Sequence, residues 1–429
     1  MKFTSTLLKH NKRLMLKNVW KHKGSFPDRP PIIPQAVLDS GLEIVDPNVE
    51  EPPAPWVPPV PDDLQFKSRP SITELPNYNE EPAYVYTRGG RIMEGSKQAC
   101  ILTKSLSFNG FPDTIKPLIG RFQAQDQDKL IQRYIMQSQK WDPSKEPLPK
   151  RIDTANVGYK FTREYGIPKK RSIGILMRNL IRLCQSTGNQ FPSILSDLRL
   201  IPDAYLGTHY YYQGKLVIFE AYAKYLLMSN QPMKAFEGED KIDESVNQKL
   251  LNMYPLSPLI NIPKRNCYRI QNIAGFQKEF SHSHPHTIFL INNNFWRDDS
   301  NQAMALLNCF GYAVTQARKL YGNEQNLPKP ICVQCVNMNQ TTVNFTFFQL
   351  NTTDFSSQQG VKNFVWFDSG NQLFQKQLPQ PWRGEEYKNT YYHSYNPLAF
   401  EKLLAVILGN APEVQEYLDD SEEVAALSQ

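Results

Sequence analysis

The clearest pattern of hydrophobic and polar positions runs from Asp298 to Ser369. Met304, Leu307, Phe310, Gly311, Val314, Ala317 and Leu320 recur at spacings of three and four, which places them along one side of a helix. Asp298, Asp299 and Ser300 supply N-capping chemistry ahead of it, and Gly322 follows Tyr321 as its stop. Pro330–Met338 is then an apolar run, and Val343–Leu350 sets Val343, Phe345 and Phe347 at the period of two that marks a strand. Asn339-Gln340 between these runs predicts a tight turn and hence a hairpin. Asn351–Gly360 is rich in residues that favour turns, and Val361–Phe367 is apolar again, which reads as strand, loop, strand. A helix packed on an antiparallel meander is the predicted core.

Weaker patterns fill the chain on either side. Tyr84–Thr87 reads as a short strand and Gly89-Gly90 as a turn, with Glu94–Leu106 as a helix carrying Cys100, Thr103 and Leu106 on one side. Asp126 or Asp128 caps a helix with Leu130, Ile131, Tyr134, Ile135 and Trp141, ended by Pro143, Pro147 and Pro149. Ile173–Thr187 reads as a helix stopping at Gly188, and Ile201–Tyr212 with Lys215–Tyr222 as a hairpin about Gln213-Gly214. Asp243 caps a short helix through Met253, Tyr254–Pro263 is pinned by prolines, and His286–Ile291 is a strand. Asn396-Pro397 opens a last helix with Phe400, Leu403, Leu404, Val406 and Ile407, closed by Gly409. The fold class is α/β (α+β), a mixed or antiparallel sheet packed with helices. Its body spans residues 83–410, as one unit or as subdomains 83–253 and 254–410.

Composition changes this picture mainly at the ends. Fourteen of the 33 prolines fall between Pro27 and Pro82, so residues 28–82 form an extended, proline-rich strap rather than helix or central strand. Such a strap either lies along a partner or is a solvated linker; Trp56 and Tyr78 favour contact. The net charge of +6 is smaller than the seven Lys and Arg found in residues 1–27 alone, so everything after them stands at −1. A basic, acid-free leader with Leu7, Leu8, Leu14, Leu16, Val19 and Trp20 is the composition of a mitochondrial transit peptide, or of a retained basic arm. Residues 411–429 form an acidic tail with six Asp or Glu and no base, which leaves residues 28–410 at +5. That suits local phosphate contacts and argues against wholesale electrostatic binding of nucleic acid. Six cysteines in 429 residues make no disulfide framework and point to a reducing compartment. No apolar run reaches the length of a membrane span.

Three patterns carry candidate chemistry. Tyr159–Arg171 interleaves Lys160, Arg163, Lys169, Lys170 and Arg171 with Tyr159, Phe161 and Tyr165, and cations among stacking surfaces suit phosphates and unpaired bases. The same composition also describes a solvated basic loop. His282, His284 and His286 alternate in SHSHPHT, so an extended chain would turn all three rings to one side as a metal requires, although Pro285 disturbs the alternation. A polar loop is the competing reading. Cys332-Val-Gln-Cys335 has no second pair for zinc and no helix start to activate a thiol, which leaves buried structural cysteines. No nucleophile elbow, phosphate loop or dinucleotide fingerprint appears, and no motif points to a cofactor.

Five blocks together resemble a known family, that of the mitochondrial large-ribosomal-subunit protein numbered thirty-seven. They are FQLNTTDFSSQQGVKNFVWFDS (348–369), QARKLYGNE (316–324), RIMEGSKQACILTKS (91–105), YPLSPLI (254–260) and PHTIFLI (285–291), in the family's order across most of Tyr84 to about Leu408. The resemblance implies a structural subunit of the large ribosomal subunit in the mitochondrial matrix, without enzymatic activity. It implies contact with large-subunit rRNA and with other proteins of that subunit, especially a paralogous one historically numbered small-subunit protein thirty. The triple histidine departs from the family pattern, and residues from about Asp153 to Gly166 look longer than it. Two other readings differ in class: a mitochondrial metal-dependent enzyme using His282, His284 and His286, and a non-resident mitochondrial RNA-binding or assembly factor.

Overall fold

Strands covered on both faces lose the alternation of buried and exposed positions, and in the middle of this sheet residues 285–290, 331–338, 345–352 and 363–367 are buried one after another. In the computed structural model, residues 32–41, 55–56, 71–87, 90–138, 146–147, 165–166, 168–187, 191–275, 280–292, 296–376, 392–409, 411 and 413–414 are described. The leader 1–27, Trp141, Tyr159, Lys160, Phe161, Arg163, Gly188 and the tail beyond Val414 lie outside them. The chain divides into residues 1–69 and 70–429. In the first unit, the helical turn Gln35–Leu38 follows Pro34 and buries no side chain.

The second unit runs, in order, β1 (Tyr78–Thr87), α1 (Gly95–Leu102), β2 (Ser105–Asn109), α2 (Gln127–Ser138), α3 (Lys169–Thr187), β3 (Leu198–Tyr212), β4 (Lys215–Ser229), β5 (Lys264–Cys267), β6 (His284–Ile291), α4 (Asp298–Tyr321), β7 (Asn326–Met338), β8 (Val343–Thr352), β9 (Asn363–Asp368) and α5 (Leu398–Leu408). The nine strands form one sheet in the order β2-β9-β8-β7-β6-β4-β1-β5, with β3 also on β4. β7, β8 and β9 are the expected antiparallel meander. The sheet as a whole is mixed, because β6–β7, β9–β2 and β1–β4 are parallel pairs. The long helix is therefore more than a cover for the meander: α4 is the crossover joining parallel β6 to β7.

Two apolar layers sandwich the sheet. Val365, Phe367, Phe348 and Leu350 turn to the face covered by α4 and α1. Phe364, Trp366, Phe345 and Phe347 turn to the face covered by α3, α5 and Ile131 and Ile135 of α2. Burial on both sides of successive residues is why the period of two fades in β9. Within the first layer Phe310 packs edge-on against Tyr210, Phe355 and Phe348. Gly311 lets α4 close on β3, since a Cβ there would lie 2.6 Å from Leu206 Cδ2.

Several boundaries differ from the sequence expectation for local reasons. α1 stops at Leu102, not Leu106, because Lys104 takes a positive φ of 52° and Leu106 enters β2. Lys169, Lys170 and Arg171 form the first turn of α3 instead of preceding it, with the Ser172 amide donating to Pro168 O. The hairpin strands reach back to Leu198 and on to Ser229, about a turn with Gln213 and Gly214 both at positive φ. Asp243 lies inside the helix Glu239–Glu244 rather than capping one, and no helix continues to Met253. Asn396 Oδ1 does accept the Leu398 amide at the start of α5.

Strand β4 carries two irregularities. Its pairing with β6 shifts between Leu227 opposite Thr287 and Met228 opposite Pro285, which leaves His286 as a bulged extra residue. β4 pairs with β3 along its full length, but its other edge is shared, β1 taking Val217–Glu220 and β6 taking Tyr225–Ser229. Residues 221–224 of β4 thus sit in a fork with a strand on one side only.

Candidate nucleic-acid interface

α3 places the described members of the basic cluster. Ile173, Leu176, Met177, Leu180, Ile181 and Cys184, at spacings of three and four, bury one face of the helix against the second layer. Lys170, Arg171, Arg178 and Arg182 are exposed, and Lys169 is half-buried. Arg171, Arg178 and Arg182 are seven and four residues apart, so they share one outer face along about 16 Å of helix at 1.5 Å per residue. No Asp or Glu occurs anywhere in α3. Its first turn carries three cations, the opposite of what the helix dipole favours.

Arg178 and Arg182 are absent from the sequence-level candidates. The signal that finds them is the helical phase of Ile173–Thr187: once Leu176 and Leu180 are inside, Arg178 and Arg182 must be outside. Tyr165 lies in a two-residue strand paired with Glu146-Pro147, and Lys160 and Arg163 fall among the undescribed residues.

The three histidines do not converge. His282 Nε2 lies 2.9 Å from Ser196 O and its Nδ1 2.9 Å from the Ser281 hydroxyl. His284 meets Gln316 of α4, whose Nε2 donates to His284 Nδ1 at 3.1 Å. His286 turns to the opposite face, where it shares a cavity with Ile407 and Ala411 and sits 2.7 Å from the Thr287 hydroxyl. The bulge at His286 breaks the alternation on which a shared metal would depend. Burial pushes the His286 imidazole down to about 4, and burial followed by Lys319 lowers that of His284. Among the described residues no group of three or more His, Cys, Asp or Glu is arranged to hold a metal ion.

Cys332 and Cys335 also part company, Cys332 joining the α3/α5 layer and Cys335 the α4 layer. Burial raises the Cys332 thiol to about 12, so it carries no thiolate at neutral pH.

The block 348–369 that carries the strongest resemblance is occupied with holding the fold together. Gln349 Oε1 accepts the Phe236 and Glu237 amides, and its Nε2 donates to Glu237 O and Asn351 Oδ1. Asn363 Oδ1 accepts the Asn351 and Thr352 amides while its Nδ2 donates to Thr103 O. The buried Lys362 ammonium donates to Val246 O at 2.9 Å. Each of these groups ties one segment to another, which leaves none of them over for chemistry.

Comparison with known proteins places the chain among ribosomal ones. No family model matches it. It is 30% identical over 321 residues to large ribosomal subunit protein mL37 of Rattus norvegicus, covering 73% of this chain and 71% of the relative. The Bos taurus protein of that name is 28% identical over 81% of this chain and 80% of its own length, and the Gallus gallus protein 27% over 79% and 77%.

Proposed function

The chain belongs to the family of large ribosomal subunit protein mL37, and on that footing we propose that it supports mitochondrial translation as a structural constituent that touches both rRNA and neighbouring proteins. The family resides in the mitochondrial ribosome, in the matrix. The single observation that carries the reading is the relation to mL37 over nearly three-quarters of the chain. A structural, non-enzymatic role agrees with histidines bonded separately and cysteines set on opposite faces of the sheet.

The rRNA contact is assigned to the outer face of α3 that carries Arg171, Arg178 and Arg182, with Lys170 exposed beside it in the first turn. Lys169 from the same turn, and Lys160 and Arg163 upstream, complete the candidate set. Protein neighbours, among them the paralogous subunit historically numbered small-subunit protein thirty, take the remaining surface in this reading. Residues 1–27 act as the transit peptide and the proline-rich stretch from residue 28 as the strap along a partner, a strap that ends before Tyr78 rather than at Pro82, because Tyr78 already opens β1 and pairs with Cys267. Among the described residues no helix is long and apolar enough to cross a membrane.

Sedimentation tests the assignment. Tagged protein from gently lysed mitochondria is expected to travel with large ribosomal particles through a sucrose gradient at moderate salt. Migration at the top of the gradient would mark a non-resident factor and refute residence. The double substitution Arg178→Gln with Arg182→Gln should lower the salt slope of RNA binding by about 1.4, from about 0.7 per lost contact on a single strand. An unchanged slope would remove α3 from the interface.

A further inference from the structure

β6 pairs with β7 only from Thr287 opposite Gln334 onward, so ahead of Gln334 that edge of β7 meets no strand among the described residues. A cavity of about 310 Å³ occupies the gap, bounded by the start of β6, the last turns of α4, the chain just after β4 and residues 329–332 of β7. Met233, Leu320, Tyr321, Pro330 and Ile331 make its lining mainly apolar, and Leu320 is nevertheless 43% exposed. No Asp or Glu lines it, whereas Lys234 and the exposed Lys329 do. Burial and then nearby Lys319 hold down the imidazole of His284, which lines the same cavity, so the potential there is positive.

The backbone restricts what fills such a slot. The Asn292 amide donates to Met338 O, so the even-numbered residues of β7 turn their backbone groups to the β6 side. Pro330 falls on that side and has no N–H, which blunts the edge against an added strand. The slot suits side chains instead, apolar ones in the gap and carboxylates beside Lys234 and Lys329. The chain carries such a segment close by. Ala411 lines a second cavity, of about 100 Å³, together with Pro232 and Lys234, and those two residues line the first cavity as well. Val414, where the described chain ends, is fully buried. Residues 415–429 then hold Glu416, Asp419, Asp420, Glu422 and Glu423 and no base, with Tyr417 and Leu418 between the first two acids. A segment of that length reaches up to about 50 Å, ample to pass Pro232 and Lys234.

We propose that residues 415–429 fold back and plug this slot, Tyr417 and Leu418 meeting Leu320, Tyr321 and Ile331 while the acids of the tail meet Lys234 and Lys329. The proposal is independent of the α3 reading and gives the acidic tail a place on the fold.

Two measurements on the full-length chain test it. Carbodiimide treatment of a mixture of isotopically light and heavy chains should join Lys329 or Lys234 to Glu416, Asp419 or Asp420 within one chain, each new amide lowering the mass by one water. Endoproteinase Glu-C should cleave slowly after Glu416 and Glu422 in the unaltered protein. Lys234→Glu with Lys329→Glu should speed that cleavage roughly ten-fold, as two exposed ion pairs turned into repulsions would, and Leu320→Asp should speed it too. Asp419→Lys with Asp420→Lys changes only the tail and should speed it without moving the urea midpoint of the body. Combining both charge reversals should restore protection. The plug is wrong if the unaltered tail is cut as fast as the variants, or if cross-links from Lys234 and Lys329 reach only acids ahead of residue 415. Links between light and heavy chains would assign the slot to a second copy, and protection found only in assembled ribosomal particles would assign it to a neighbouring protein; either overturns the proposal.

Discussion

His286 gives the protein an acid sensitivity whose size is set by its burial. The ring is fully buried, in contact with the Thr287 hydroxyl and with Gln334, and its Nε2 has no partner among the described residues. In the unfolded chain the imidazole protonates near its ordinary 6.5, whereas in the fold it resists until about 4. Between those values the unfolded state binds more protons, so stability is complete above 6.5 and is lost as pH falls towards 4. At about 1.4 kcal/mol per pH unit, going from pH 7.5 to pH 5 should cost about 2 kcal/mol through this residue alone. His284 and His209 are lowered too and act in the same direction, so the wild-type slope alone does not isolate His286. The assay is urea unfolding of wild type and His286→Leu at both pH values. The stability difference between the two proteins should move by about 2 kcal/mol in favour of the variant at pH 5. A difference that does not change with pH would mean that the ring is hydrated or protonated in the fold, and the burial argument would fail.

The packing leads to three further outcomes. Phe310→Ala should cost about 3–5 kcal/mol in urea unfolding, because a fully buried ring that meets Tyr210, Phe355 and Phe348 leaves a cavity no neighbour fills; a loss under 1 kcal/mol would contradict the layer described. Alkylation of the native protein should label the partly exposed Cys267 first and reach Cys100, Cys184, Cys309, Cys332 and Cys335 only after denaturation, as mass spectrometry of the labelled peptides would record. Gly311→Val should destabilise more than Gly174→Val, since a side chain at 311 enters Leu206 at 2.6 Å while one at 174 has its nearest neighbour at 3.4 Å.

The sequence was informative wherever one face of an element differed from the other. The Met304–Leu320 spacing and Gly322 located α4, and the Val343–Phe347 alternation located β8, within a few residues of their observed ends. The parallel pairs were not legible, because β6 and β7 are buried on both faces and their runs carry no register information. Nor was the bulge, since SHSHPHT reads as alternation until β4 supplies the partner that His286 misses. At the candidate interface the cations Lys169, Lys170 and Arg171 were visible as composition. Arg178 and Arg182 were hidden among leucines and emerged only from the helical phase. The fork joins β1, β4 and β6, elements separated by up to about two hundred residues, and no local pattern announces it.

A physical reason connects these observations to the function. The meander block is fixed by side-chain bonds from Gln349, Asn351, Lys362 and Asn363 to segments as distant as Thr103 and Phe236, so it is committed to holding two helical layers on one sheet. Buried polar groups so fully engaged specify a single arrangement rather than a reactive one. In the proposed reading what remains for partners is periphery, chiefly the outer face of α3. A rigid sheet suits that task, because it sets cations spread along about 16 Å of helix at fixed spacing, and a ligand that binds them need not order the surface first. Replacing Asn363 by Ala should therefore weaken RNA binding only as far as it unfolds the protein, and the two losses should track one another in urea titrations read by anisotropy and by circular dichroism. RNA binding lost from a protein that still unfolds cooperatively at the wild-type midpoint would show that the meander itself makes the contact.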